Sequence, residues 1–263
     1  GRVVFDRGVS VVVPPAGMSA GGEGVGTHGD VIGLRVSNTG TTVRAFTGAT
    51  ASLGSAGAAK GSPSACKDRT FHLAGHRWVT SLRYHTNLSK APSRYHKKTL
   101  VKQVRAANTH MRKGTNTCGK PRLDTPVAHY LGSTHAKPNI TTGSGEVKCG
   151  TYNTTNVVAF GNLPRNLLGW TCYWWLRSGH IRAADIMMDT GKALTTKLPE
   201  HCVNKWDFEG ALTHEFGHAY GMAHTGSGHA NLTMQHELRP CSTYARTLGL
   251  GDWLGMRKMY GAR

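Results

Sequence analysis

The stretch "THEFGHAYGMAHT", residues 213–225, carries His214, Glu215, His218 and His224, with Gly221 between the last two histidines. The run that contains its first half, "DFEGALTHEFGHAYG" (207–221), has helical spacing, and Asp207 stands where a capping residue belongs. Residues four apart on a helix project from one face, about 6 Å apart along the axis. His214 and His218 are therefore expected close enough together for two imidazoles to share a metal ion. Gly221 is expected to end the helix in the left-handed conformation that glycine adopts at little cost. The chain then turns back and brings His224 to the same ion.

Three neutral imidazoles leave a tetrahedral zinc ion with an open position, the mark of a catalytic rather than a structural site. Such an ion lowers the pKa of a bound water and polarises a carbonyl. Glu215 follows the first ligand directly and can reach that water without binding the metal. Its expected role is general base, taking the water's proton and passing it to a leaving amine. A bare H-E-x-x-H recurs by chance, whereas H-E-x-x-H-x-x-G-x-x-H constrains five positions on a helix that breaks at glycine. The other histidines, among them His72, His76, His110, His129 and His229, read as ordinary polar residues.

Outward from the motif, "YHKKTLVKQVRAANTHMRKG" (95–114) predicts a helix with Leu100, Val104, Ala107 and Met111 on its buried face. A last helix is predicted over "GDWLGMRKMYG" (251–261). Strands are predicted at 77–86, 126–132, 155–162 and 179–190, and Trp170, Trp174 and Trp175 read as core or strand residues. Strands and one helix precede the motif helix, so the class is α+β. Residues 1–65 differ in composition: fourteen of the first 61 are glycine. "VVFDRGVSVVVPP", "DVIGLRVSN" and "TTVRAFTG" look like short strands between turns, and residues 48–65 are breaker-rich, as linkers are. The expected division is a small β-rich module or pro-segment remnant over 1–65 and a main domain over 66–263.

No stretch approaches the ~20 apolar residues of a membrane span. The chain begins at Gly1 without a signal-peptide pattern and reads as a processed protein or a trimmed one. Net charge is +18, and between Val31 and Gly145 only Asp68 and Asp124 oppose eighteen Lys and Arg. That surface should attract acidic proteins or a polyanionic cell-surface polymer, but no aromatic-interleaved motif points to specific nucleic-acid binding. Six cysteines without a C-x-x-C pair suggest three disulfides in an exported protein rather than a thiolate site. Fifteen pairings are possible, and the nearest-neighbour set is Cys66–Cys118, Cys149–Cys172 and Cys202–Cys241.

"HEFGHAYGMAHT" resembles the metzincin clan of zinc peptidases. Among them it is most similar to the matrixins, which place a small hydroxyl residue after the third histidine, here Thr225. "LGLGDWLGMRKMYG" and "GHIRAADIMMDT" also look like matrixin segments, and the resemblance covers roughly residues 66–263. It implies a twisted, mostly parallel sheet with two long helices, a zinc cleft and a small C-terminal subdomain. It implies His214, His218 and His224 as zinc ligands, Glu215 as base and Met234 as the methionine of a turn beneath the metal. Matrixins show Tyr-Pro after that methionine. Here Gln235-His236 follow, and His236 is a candidate contact to the zinc or the transition state. Matrixin calcium sites are rich in carboxylates, and this chain is acid-poor, which leaves calcium open.

The resulting expectation is a secreted, monomeric zinc endopeptidase acting on proteins or peptides. Substrate would lie extended along an edge strand, with the motif helix and the loop from Gln235 to Tyr244 walling the S1′ pocket. The alternatives are a peptidase of peptidoglycan cross-links and a non-catalytic polyanion-binding protein with a vestigial zinc site.

Overall fold

β-Branched and aromatic runs between glycine and proline turns give the chain its strands. The computed structural model describes residues 1–28, 32–49, 61–123, 127–164, 166–191 and 194–261. It begins with β1 (Val3–Asp6), β2 (Val9–Val12), β3 (Met18–Gly26), β4 (Ile32–Asn38) and β5 (Val43–Ala49). β6 (His72–Leu73) and β7 (Leu82–Asn87) precede helix α1 (Lys97–Lys113). After it come β8 (Ala128–Ser133), β9 (Ile140–Gly143), β10 (Glu146–Cys149), β11 (Asn156–Gly161), β12 (Leu167–Leu176) and β13 (Ile181–Asp189). The short β14 (Leu194–Thr195) and β15 (Trp206–Asp207) lead into α2 (Phe208–Tyr220). β16 (Met222–Ala223) leaves that helix, and α3 (Leu250–Tyr260) follows.

Eight strands form one sheet in the order β5-β4-β3-β12-β13-β11-β7-β8. The α+β class is as expected, but the sheet is not mostly parallel. β13, β11, β7 and β8 run parallel, whereas the ladders from β5 through β4, β3 and β12 to β13 are antiparallel. The difference comes from the N-terminal strands. β3 lies along β12 from Met18 to Gly26 and carries β4 and β5 beyond it. β3, β4 and β5, from the segment set apart by composition, therefore share a sheet with strands of the main domain. The linker expected over 48–65 falls largely on residues outside those described.

Side-chain alternation along β12 and β3 divides the interior in two. Trp170, Cys172 and Trp174 join Met18, Ala20, Leu34 and Val36 in one buried cluster, closed by Val9, Val11 and Val147 from the small sheet β1-β2-β10-β9. Tyr173 and Val25 belong to the larger cluster, with Leu100, Val104, Ala107 and Met111 of α1 and Phe216 of α2. Each buried Val, Leu, Met or Phe among them contributes roughly 1.5–3 kcal/mol by leaving water. β12 is buried on both faces over most of its length, which is why its sequence reads as a continuous apolar run rather than an alternation.

The cysteines pair as Cys66–Cys118, Cys149–Cys172 and Cys202–Cys241, the nearest-neighbour set. No helix among the described residues is long and apolar enough to cross a membrane.

Candidate metal centre

Every residue of α2 is buried, so its polar side chains must find partners inside the protein. Asp207 caps the helix as expected, accepting from the Gly210 N–H at 2.7 Å, and Arg246 holds its other oxygen at 2.6 Å. Gly221 ends it with φ +102°, its N–H reaching the Gly217 and His218 carbonyls. A Cβ at Gly221 would also come within 2.0 Å of the His76 carbonyl oxygen, so both conformation and space require glycine there.

The turn brings the three histidines together. His214 and His218 Nε2 lie 2.9 Å apart, His218 and His224 Nε2 3.0 Å, and His214 and His224 Nε2 3.2 Å. The opposite ring nitrogens fix the tautomers. His214 Nδ1 lies 2.7 Å from the Thr233 carbonyl and His218 Nδ1 3.1 Å from the Met222 carbonyl. A carbonyl only accepts, so each Nδ1 carries a proton, and in the neutral ring the Nε2 is left with its lone pair. Burial, then the neighbouring imidazoles, hold His214 and His224 well below the ordinary histidine pKa. Lone pairs converging in a dry pocket repel one another unless a cation sits among them, and the donor set therefore fits a divalent metal ion. These three residues are the only cluster of three or more His, Cys, Asp or Glu placed to hold a metal among the described residues.

Met234 is fully buried against α2. A Cβ on Gly217, the residue before His218, would meet the Met234 Sδ at 2.2 Å. Asp252 of α3 accepts the N–H groups of Thr233, Met234 and Gly249 at 2.7–3.1 Å. It thereby anchors the turn whose Thr233 carbonyl orients His214. His236 lies beside this cluster and not within it. Its ring centroid is 6.2 Å from that of His224, and its Nε2 is 3.8 Å from Glu237 Oε1.

Glu215 is completely buried beneath β12 and β3. Its Oε1 accepts the Val25 N–H at 2.9 Å and its Oε2 the Thr171 hydroxyl at 2.5 Å. Gly169 leaves the room: a Cβ there would come within 2.7 Å of the Glu215 Cγ. Burial pushes the Glu215 carboxyl up to about 7, against the opposing pull of His218 and of these two donors.

Sequence reasoning missed Glu23 of β3. Its Oε2 lies 3.2 Å from His218 Nδ1, and its Oε1 is paired with the Arg35 guanidinium. Burial works against its charge, but Arg35 and His218 outweigh it and keep the carboxyl well below the usual range. The available signal was a lone acid in the glycine run "AGGEGVG". His76, read as an ordinary polar residue, is buried and stacks on Trp175 with ring centroids 4.5 Å apart.

No family model matches the chain, and a search of curated proteins finds no relative of it.

Proposed function

We propose that the chain is a secreted, matrixin-like zinc endopeptidase, with His214, His218 and His224 as the ligands and Glu215 as the general base. The observation that carries this reading is the convergence of three histidine Nε2 atoms next to a buried carboxyl one residue along the helix from His214. Zinc, when bound, supplies an activated water and polarises the scissile carbonyl. The Glu215 carboxyl, at about 7, suits a group that takes a proton and returns it near neutral pH. Each of its oxygens keeps a second acceptor site beyond the Val25 and Thr171 hydrogen bonds. Thr171 holds the carboxyl in place, while the Thr233 and Met222 carbonyls hold two of the imidazoles.

Several features support the family reading. Parallel β7, β8, β11 and β13 with antiparallel β12, and the helices α1 and α2, agree with a metzincin sheet and its long helices. The loop from Gln235 to Tyr244 is tied to the segment that enters α2, as an S1′ wall would be. Its carbonyl at Leu238 accepts from Trp206 Nε1 at 3.0 Å, and Cys202–Cys241 ties it to the segment entering the helix. Three disulfides and no free cysteine fit an oxidising, extracellular compartment. The +18 charge favours acidic proteins or a polyanionic surface.

The test is Glu215→Gln. Metal content should stay at that of the parent chain while hydrolysis of a denatured protein falls by about 10²–10⁴. Activity that survives the substitution rejects the mechanism. Purified cell wall offered in parallel separates a peptidase of peptidoglycan cross-links. One observation favours a non-catalytic reading instead: the edge of β12 is occupied by β3. Failure of every form of the chain to cut either substrate would establish that reading.

A further inference from the structure

An extended peptide entering this centre would have to add to the edge of β12 that faces away from β13 and pass the wall formed by residues 236–238. Strand β3 does both. It is antiparallel to β12 from Met18 to Gly26. At its end the Gly26 N–H donates to the His236 carbonyl at 3.0 Å, and the Gly26 carbonyl accepts from the Leu238 N–H at 3.0 Å. Among the described residues its other edge is paired with β4 from Ser19 to Gly22. Beyond that ladder the Glu23 side chain reaches the metal centre, its Oε2 3.2 Å from His218 Nδ1.

The register at the centre is specific. The amide nitrogen of Val25 is the one bound to Glu215, at 2.9 Å. That nitrogen is the leaving group of the Gly24–Val25 peptide bond, and a general base has to deliver its proton to the leaving nitrogen. Val25 is fully buried in the same cluster as Phe216 of α2 and Leu238 of the wall. Gly24 admits no side chain, since a Cβ there would meet the Gly169 carbonyl at 2.3 Å and the Trp170 ring at 2.8 Å.

We propose that β3 is a self-peptide seated in the substrate groove, and that Gly24–Val25 is the bond it offers to Glu215. The inference rests on the hydrolase reading and names its substrate class: an extended segment with glycine before the cut and a β-branched apolar residue after it. Hydrolysis consumes one water. Its oxygen bonds to the Gly24 carbonyl carbon, the C–N bond breaks, and one proton passes through Glu215 to the Val25 nitrogen. The products are a carboxyl at Gly24 and an amine at Val25. A foreign peptide finds the groove filled until this segment leaves.

Two measurements on the full chain test this. The first is amide hydrogen exchange on the metal-free protein, in which the Val25 N–H should be slowed at least about a hundredfold against an unstructured peptide. The second is intact mass after zinc is added, followed by denaturation, which separates the pieces because residues 1–24 contain no cysteine. Fragments ending at Gly24 and beginning at Val25 should form at a rate independent of protein concentration, and Glu215→Gln should stay whole with Val25 still protected. Free exchange at Val25 overturns the occupancy. Protection with an intact chain, while an unrelated peptide is cut, overturns the self-substrate and leaves the endopeptidase reading standing. Protection with nothing cut at all sinks the hydrolase reading itself.

Discussion

The two halves of the eight-stranded sheet are built by different means. The parallel half, β13-β11-β7-β8, is packed with large side chains against α1 and α2, and its helical layer carries the histidines. The antiparallel half, β5-β4-β3-β12, works by close approach of backbone. Gly22 lies where a Cβ would meet the Cys149 Sγ at 2.6 Å, and Gly24 lies against the Gly169 carbonyl. The comparison teaches that the histidine cluster stands on one half while the strand that covers Glu215 belongs to the other. β3 covers Glu215 and donates to it.

The largest expected effect breaks the chemical half alone. His218→Ala should abolish stoichiometric metal uptake, measured by elemental analysis. It should also remove the rise in Tm that excess zinc gives the parent chain, a gain of about 4 kcal/mol at a thousandfold excess over Kd. The ladder of β3 on β12 should persist, read as unchanged exchange of its central amides.

Replacing both Cys149 and Cys172 by Ala attacks the other half, because that bridge ties β10 to β12 inside the second core. Denaturant unfolding should show a loss of about 2–4 kcal/mol, with metal stoichiometry retained. A collapse of metal binding would mean that the two halves do not act separately.

Gly217→Ala is smaller and local. Its Cβ must displace the Met234 Sδ, so a loss of about 1–3 kcal/mol is expected. Gly143→Ala meets nothing within 4 Å and should stay within about 0.5 kcal/mol.

The mildest test concerns a carboxyl buried within the parallel half. Asp185 of β13 accepts from Asn139 and Val157 N–H at 2.7 and 2.8 Å, yet burial pushes it up to about 7 from an ordinary 3.8. A raised carboxyl favours folding below its unfolded pKa, and that contribution is lost as pH rises through the folded value. Asp185→Asn should therefore flatten the part of the Tm profile that falls between about pH 4 and pH 7. An unchanged slope would assign that fall to other groups.

How much could be read in advance follows the same division. The ends of α2, its Asp207 cap and its Gly221 stop are local patterns, as are the faces of α1 and the course of β13, and each lies within a residue or two of its expected bounds. β3 was not legible. "MSAGGEGVG" has few side chains to alternate, and Gly22 and Gly24 are explained by Cys149, Gly169 and Trp170, more than a hundred residues away. β12 announced burial through its tryptophans but not its direction, since an apolar run buried on both faces carries no sign of what lies beside it. Glu23 went unnoticed for the same reason as β3.

The amino-acid sequence by itself determined the ligand spacing, the helix that displays it and the neighbouring acid, because a helix and its glycine stop are set by contacts three to four residues apart. Only the tertiary structure decided which strand lies on β12, which backbone amide meets Glu215 and which carboxylate stands behind His218. Those choices depend on surfaces from distant parts of the chain fitting together, and no short-range pattern records that fit.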